Sequence, residues 1–163
     1  MEIEMSIKGL SVDPITNMPI IVLRETGGER VLPIWVGVFE ANAIALQIES
    51  VQTPRPMTHD LLKSVIDELG GRLERIVVSE LKDNTFYATL RLRTPGGALV
   101  VDARPSDAIA LALRSGARIF VEEAVILGAR TLDEPQPQGE TGLRRVQKWL
   151  EGLSDEELGK YKM

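Results

Sequence analysis

The chain has 163 residues, 44% of them hydrophobic and 26% charged, which fits one domain with a short appendage and excludes disordered, collagen-like and low-complexity classes. Its net charge of −5 at pH 7 argues against a protein that holds nucleic acid by bulk positive charge. A local basic patch or a metal-bridged phosphate contact stays compatible with that balance.

The start, MEIEM, has no basic region and no long apolar run, so it is not a signal peptide. No stretch reaches the roughly 18 apolar residues of a membrane helix. A cytoplasmic protein with no membrane partner is expected. Residues 2–8 alternate, with Ile3, Met5 and Ile7 on one face, which predicts a half-buried strand. The phase slips at Gly9, where a bulge is expected. A second strand follows at 20–23, a hairpin at Thr26-Gly27-Gly28-Glu29, and a third strand at 31–35 that Pro33 pushes toward an edge.

Residues 38–49 read as a helix that is apolar nearly all round and therefore deeply buried. A second helix, 59–69, has Thr58 as its expected N-cap. Its stripe is Leu61, Leu62, Val65, Ile66 and Leu69, and Gly70-Gly71 stops it. Strands are expected at 73–81, 85–93 and 99–102, with turns at Lys82-Asp83-Asn84 and Thr94-Pro95-Gly96-Gly97. A third helix spans 106–114, ended by Gly116. A short strand at 118–121 and a turn or helix at 122–127 complete the domain, taken as 1–128. Residues 129–142 read as a linker rich in Pro and Gly. The tail, 143–163, is expected to be helical, with an apolar face at Trp149 and Leu150.

The fold class is α+β, mainly antiparallel. The order of elements repeats: three strands and a helix containing Ala43-Ile44-Ala45-Leu46, then three strands and a helix containing Ala108-Ile109-Ala110-Leu111. That predicts two related three-strand-plus-helix units.

Several chemistries are closed. With no cysteine there are no disulfides, no thiolate nucleophile and no cysteine metal site. One histidine, His59, rules out a multi-histidine metal site within one subunit. Neither a Walker A sequence nor GxGxxG is present. The densest polar cluster is Asp102, Arg104, Ser106 and Asp107, where a strand gives way to a helix. Helix N-termini favour anions. Carboxylates suit Mg²⁺ or Mn²⁺, and an arginine suits phosphate. The alternatives are structural: Ser106 as N-cap, Asp107 complementing the dipole, Arg104 pairing with Asp102. His59 is either a general base or an exposed first-turn residue. Glu40 heads the first helix as a metal ligand or a dipole partner. Asp60 suits the start of the second helix. Thr85, Tyr87, Thr89, Arg91 and Arg93 share one face of a strand, which fits either a nucleic-acid track or a solvated sheet face, and Arg72 and Arg75 extend it.

Three segments, RVLPIWVGVFEANAIALQIE (30–49), RPMTHDLLKSVIDELGG (55–71) and LVVDARPSDAIALALRSGARIFVEEAVIL (99–127), together resemble the bifunctional nuclease family. The likeness covers about residues 1–128 in order. It implies an α+β homo-oligomer that degrades both RNA and DNA. On that resemblance the polar letters inside the segments become the expected site. His59, Asp102 and Asp107 are catalytic. Asp102, Asp107 and Glu40 hold Mg²⁺ or Mn²⁺, Arg104 and Ser106 hold the nucleic-acid substrate, and Asp60 is a further candidate of the same set; Arg91 and Arg93, from the strand face outside those segments, are added as substrate contacts. The rival expectation is a non-catalytic oligomeric module that binds a small anion or a partner protein. Pro33, Ile34, Trp35, Val36 and Phe39 are the expected subunit contact.

Overall fold

The computed structural model describes residues 1–129. The linker from 130 onward and the helical tail expected at 143–163 lie outside the described residues. Among the described residues seven strands form a single sheet in the order β3-β2-β1-β7-β4-β5-β6. They are β1 (Glu2–Val12), β2 (Pro19–Glu25), β3 (Val31–Trp35), β4 (Arg72–Lys82), β5 (Thr85–Thr94), β6 (Gly97–Ala103) and β7 (Arg118–Glu122). Every pairing is antiparallel except β4 with β7, which is parallel. The helices are α1 (Val38–Ile48), α2 (Thr58–Glu68), α3 (Pro105–Ser115) and α4 (Glu123–Ala129). The α+β, mainly antiparallel class stands.

Local sequence accounts for much of this. The β1 register shifts between Ile7 and Gly9, the bulge that the broken alternation implies. Pro33 has no N–H to give to a ladder, and among the described residues β3 is an edge strand. Asp83 and Asn84 both adopt positive φ, which lets β4 turn tightly into β5. Gly116 takes φ 66° and closes α3 in the left-handed conformation that a glycine adopts without strain. Each meander runs into a helix, β1–β3 into α1 and β4–β6 into α3, and the repeated letters Ile44 and Ile109 are both fully buried in one core.

Four expectations need correction. α1 is not buried all round: Val38, Phe39 and Ile48 are exposed at its ends. The N-cap of α2 is Met57 rather than Thr58, and the cap bond comes from Asp60, whose carboxylate accepts the Met57 N–H at 2.9 Å. Above all, most of the apolar stripe of α2 faces solvent: Leu61, Leu62, Val65 and Leu69 are exposed, Ile66 alone of the stripe packs against the core, and His59 is the helix's one buried residue. Periodicity gives the stripe but not the side it turns to. The expected subunit contact is also split: Ile34 and Val36 belong to the core, while Trp35 and Phe39 are exposed.

Candidate functional site

The sheet divides the sequence-predicted residues into two sets. Ala103 and Val101 of β6 register with Ala88 and Leu90, which lie in the core beneath α3. Strand side chains alternate faces, so Asp102 and its partner Thr89 point the other way. Arg91 and Arg93 share that outward face, opposite Val100 and Ala98. The expected convergence of Asp102 with Asp107 therefore does not occur. A strand-to-helix turn brings two residues close in sequence, but the pleat sets them on opposite faces.

On the helix-covered face, four of the expected residues come together from three helices. Asp107, at the third position of α3, accepts from His59 of α2, Nε2 to Oδ1 at 2.9 Å. Its other oxygen accepts from Arg104 Nε at 2.9 Å. Arg104 Nη2 reaches Glu40 of α1 at 2.7 Å. Arg104 is itself the N-cap of α3, so Ser106 is not, and Pro105 supplies the first helical residue, where its missing N–H is no loss. The paired carboxylates hold the Arg104 guanidinium above its ordinary pKa, Glu40 contributing most and Asp107 next.

Three polar atoms of the cluster stay open. His59 is buried, yet its Nδ1 makes no hydrogen bond among the described residues and is not sealed from solvent. The same holds for the Ser106 hydroxyl. Arg104 Nη1 is also unengaged, on a side chain that is 65% exposed. With Nε2–H donating to Asp107, the ring keeps its lone pair on Nδ1, the nitrogen that faces outward.

Beneath the cluster lies a pair that sequence reasoning did not join. Arg114 is only 4% exposed. It donates Nε to Asp60 at 2.6 Å, Nη1 to the Ala110 carbonyl at 2.9 Å and Nη2 to the Ala43 carbonyl at 3.0 Å. It thus ties α2, α3 and α1 together one residue away from His59. Burial alone would raise the Asp60 pKa, but the Met57 N–H and the Arg114 guanidinium outweigh it and hold that carboxyl below its usual value. The signal was present: Arg114 stands four residues after Ala110, on the apolar side of α3, where a charge requires a partner.

The residues do not fit the expected metal set. Among the described residues no three His, Asp or Glu groups gather to hold an ion. Glu40 and Asp107 already share a guanidinium, and Asp102 is on the far side of the sheet. On that outward face Arg93 pairs with Glu74 at 2.7 Å, Arg75 with Glu2 at 2.7 Å, and Arg91 also with Glu2. Arg75 stacks over Phe120, 5.0 Å from the ring centre. The arginines there are largely balanced by neighbouring carboxylates.

The chain belongs to the bifunctional nuclease domain family, whose model matches residues 21–133. That span contains every residue of the helix-side cluster. Proteins of two Mycobacterium tuberculosis strains, CDC 1551 / Oshkosh and H37Rv, both named as uncharacterized, are similar to it throughout. Each is 43% identical over 154 residues, 92% of this chain and 92% of its own length. Plant proteins are similar over a shorter stretch. Bifunctional nuclease 2 of Oryza sativa subsp. japonica is 30% identical over 122 residues, 72% of this chain and 38% of its own. Bifunctional nuclease 1 of Arabidopsis thaliana is 32% identical over 100 residues, 59% of this chain and 31% of its own.

Proposed function

We propose that this protein is a cytoplasmic nuclease that hydrolyses phosphodiester bonds of RNA and DNA at the Glu40–Arg104–Asp107–His59 cluster. The observation that carries the reading is the Asp107 carboxylate, shared between an imidazole and an arginine at the mouth of α3. Family membership supports the chemical class, and the geometry supports the roles.

In this reading the phosphodiester lies over the start of α3. The unpaired N–H groups of Ser106 and Asp107 and the Ser106 hydroxyl hold its oxygens. The free Nη1 of Arg104 neutralises charge that builds on the phosphorus centre. His59 Nδ1 takes the proton from the attacking water as the new P–O bond forms and the P–O bond to the departing sugar oxygen breaks; Asp107 fixes the ring's tautomer and steadies the imidazolium, and the departing oxygen takes up a proton, returned from the imidazolium by way of solvent. Glu40 orients Arg104 from behind. No step is assigned to a divalent cation, because the carboxylates that would ligate it are engaged with Arg104. Phe39, exposed in the first turn of α1 next to Glu40, offers a surface on which a base of a single strand stacks. Arg91 and Arg93 are on the wrong face to reach the same phosphate.

The repeated helix letters set Asn42 where the second copy has Asp107. Under a duplication of one ancestral unit, only the second copy keeps the carboxylate that the chemistry needs. The reading is tested by assaying single-stranded RNA and DNA cleavage by purified wild type, His59→Gln and Asp107→Asn beside thermal melts. Loss of cleavage with retained melting supports it, and unchanged cleavage sinks it.

A further inference from the structure

Asp107 and Arg114 stand about two turns apart on α3, so both project from one side of that helix. They present a carboxylate and a guanidinium to α2. The groups of α2 that meet them are consecutive in sequence, His59 and Asp60. The polarity is crossed: the carboxylate of α3 takes the imidazole, and the guanidinium of α3 takes the carboxylate. A slip of α2 by one residue would bring Asp60 toward Asp107, carboxylate to carboxylate, and leave Arg114 without its counter-charge. Fixing register is the best-attested use of buried polar pairs.

α2 has little else to fix its place. Most of its apolar stripe is exposed, and Ile66 alone of the stripe packs against the core. Apolar contact is non-directional and tolerates sliding, whereas hydrogen bonds do not. Arg114 supplies directional bonds. Among the described residues it is the one side chain that bonds all three helices of the cluster. Its Nε reaches Asp60 of α2, its Nη2 the Ala43 carbonyl of α1, and its Nη1 the Ala110 carbonyl of α3 itself. The bond to Ala110 folds the guanidinium back one turn, toward Asp107. Asp60 passes the constraint on. Its second oxygen accepts the Met57 N–H, closing a ring over the first turn of α2, and His59 lies inside that ring.

We propose that Arg114 is a positioning residue for His59: acting through Asp60, it sets the register of α2 on α3 and so decides whether the imidazole meets Asp107. The guanidinium is buried beneath the cluster and touches no substrate. Its effect on cleavage rests on the nuclease reading, while its effect on the ring does not. A lysine cannot take its place, because an ammonium keeps the charge but lacks the planar fork that reaches three acceptors at once.

His59 is the chain's only histidine, so its imidazole gives a single set of nitrogen NMR signals with no ambiguity of assignment. In wild type the Nε2–H, held by Asp107, is expected to exchange slowly with water. In Arg114→Lys that signal should be lost to solvent exchange. Asp60→Asn breaks the same tie from its other end, should lose the signal too, and carries the test if Arg114→Lys does not fold. Ile126→Ala opens a cavity under α4, lowers stability without touching the three ties, and should keep the signal. Each variant is measured folded, well below its own melting temperature. In cleavage, Arg114→Lys should lose about 10²-fold in kcat, the cost of a displaced catalytic group. KM should hold, because Arg104 and Ser106 at the start of α3 bind the substrate without it. The double variant His59→Gln/Arg114→Lys should cut no more slowly than His59→Gln alone, since a residue that acts through His59 then has nothing left to act on. The proposal is overturned by an imidazole signal that stays protected in both Arg114→Lys and Asp60→Asn, by one lost equally in Ile126→Ala, or by losses that multiply in the double variant. A wild type that cuts neither polymer would end the nuclease reading and leave the imidazole signal to decide this one.

Discussion

His59 Nε2 and Asp107 Oδ1 stand 2.9 Å apart, 48 residues apart in sequence, and join the first turn of α2 to the first turn of α3. The bond leaves one imidazole nitrogen open and fixes which one it is. Asp107→Asn keeps the side chain's size but no longer fixes the ring's tautomer or holds Arg104 as a carboxylate does. Cleavage by this variant is expected to fall by about 10²–10⁴-fold, the usual worth of a positioned general base. The check is kcat/KM on a single-stranded oligonucleotide, measured beside a thermal melt. Loss of folding together with activity would place Asp107 in a structural role instead.

Asp102→Asn is expected to do almost nothing. The residue is exposed on the outward face and has no ion pair among the described residues. Surface substitutions of this kind change stability by no more than about 0.5 kcal/mol. Cleavage equal to wild type, with an unshifted melt, is the expected result. A large loss of activity would mean that the outward face carries the chemistry.

Arg104→Ala should weaken substrate binding and lower the slope of log affinity against log salt by about 1, the signature of one lost phosphate contact. Phe39→Ala should weaken binding with little change in that slope, by about 1–3 kcal/mol if one base stacks there. Arg91→Ala and Arg93→Ala should leave both quantities alone, because those side chains face away and are paired with Glu2 and Glu74. Fluorescence anisotropy of a labelled single strand across a salt series separates the three outcomes.

The Asp60–Arg114 pair sets a pH dependence of stability. A carboxyl whose pKa is lower in the folded than in the unfolded chain stabilises the fold above its unfolded pKa of about 3.9, and that contribution fades as pH falls through the folded value. Melting temperature should therefore drop on acidification below about pH 4, and less steeply in Asp60→Asn, which has already lost the contribution. At neutral pH Asp60→Asn is expected to cost about 3 kcal/mol, the lower end for a broken buried pair, since Asp60 itself is partly exposed. A series of denaturant melts from neutral to acid pH checks the sign and the size together.

Much of the fold was legible because local chemistry and global structure agree. The slipped alternation at Gly9, the turn residues Asp83 and Asn84, and Gly116 at the end of α3 each dictate a local geometry that the packed structure keeps. The site was half legible. Glu40, His59, Arg104 and Asp107 were marked by their position at helix starts, where the backbone offers unpaired N–H groups. Asp102 was misjudged because nearness in sequence says nothing about which face of a pleated strand a side chain takes. The stripe of α2 misled for a related reason: an apolar period identifies a helix, but the side that it turns to the core belongs to tertiary structure, and here Leu61, Leu62, Val65 and Leu69 stay exposed. Arg114 went unjoined to Asp60 because the pairing crosses 54 residues and has no sequence spacing of its own.

The most direct test of the nuclease reading is cleavage of single-stranded RNA and DNA by purified wild type and His59→Gln, each assayed with Mg²⁺ and with EDTA. Wild type is expected to cut both polymers in both buffers, because the cluster is complete in the chain's own side chains. His59→Gln is expected to lose about 10²–10⁴-fold in rate while melting within about 1 kcal/mol of wild type. Wild type that leaves both polymers intact in both buffers would contradict the account, as would cleavage that EDTA abolishes and His59→Gln leaves at full rate.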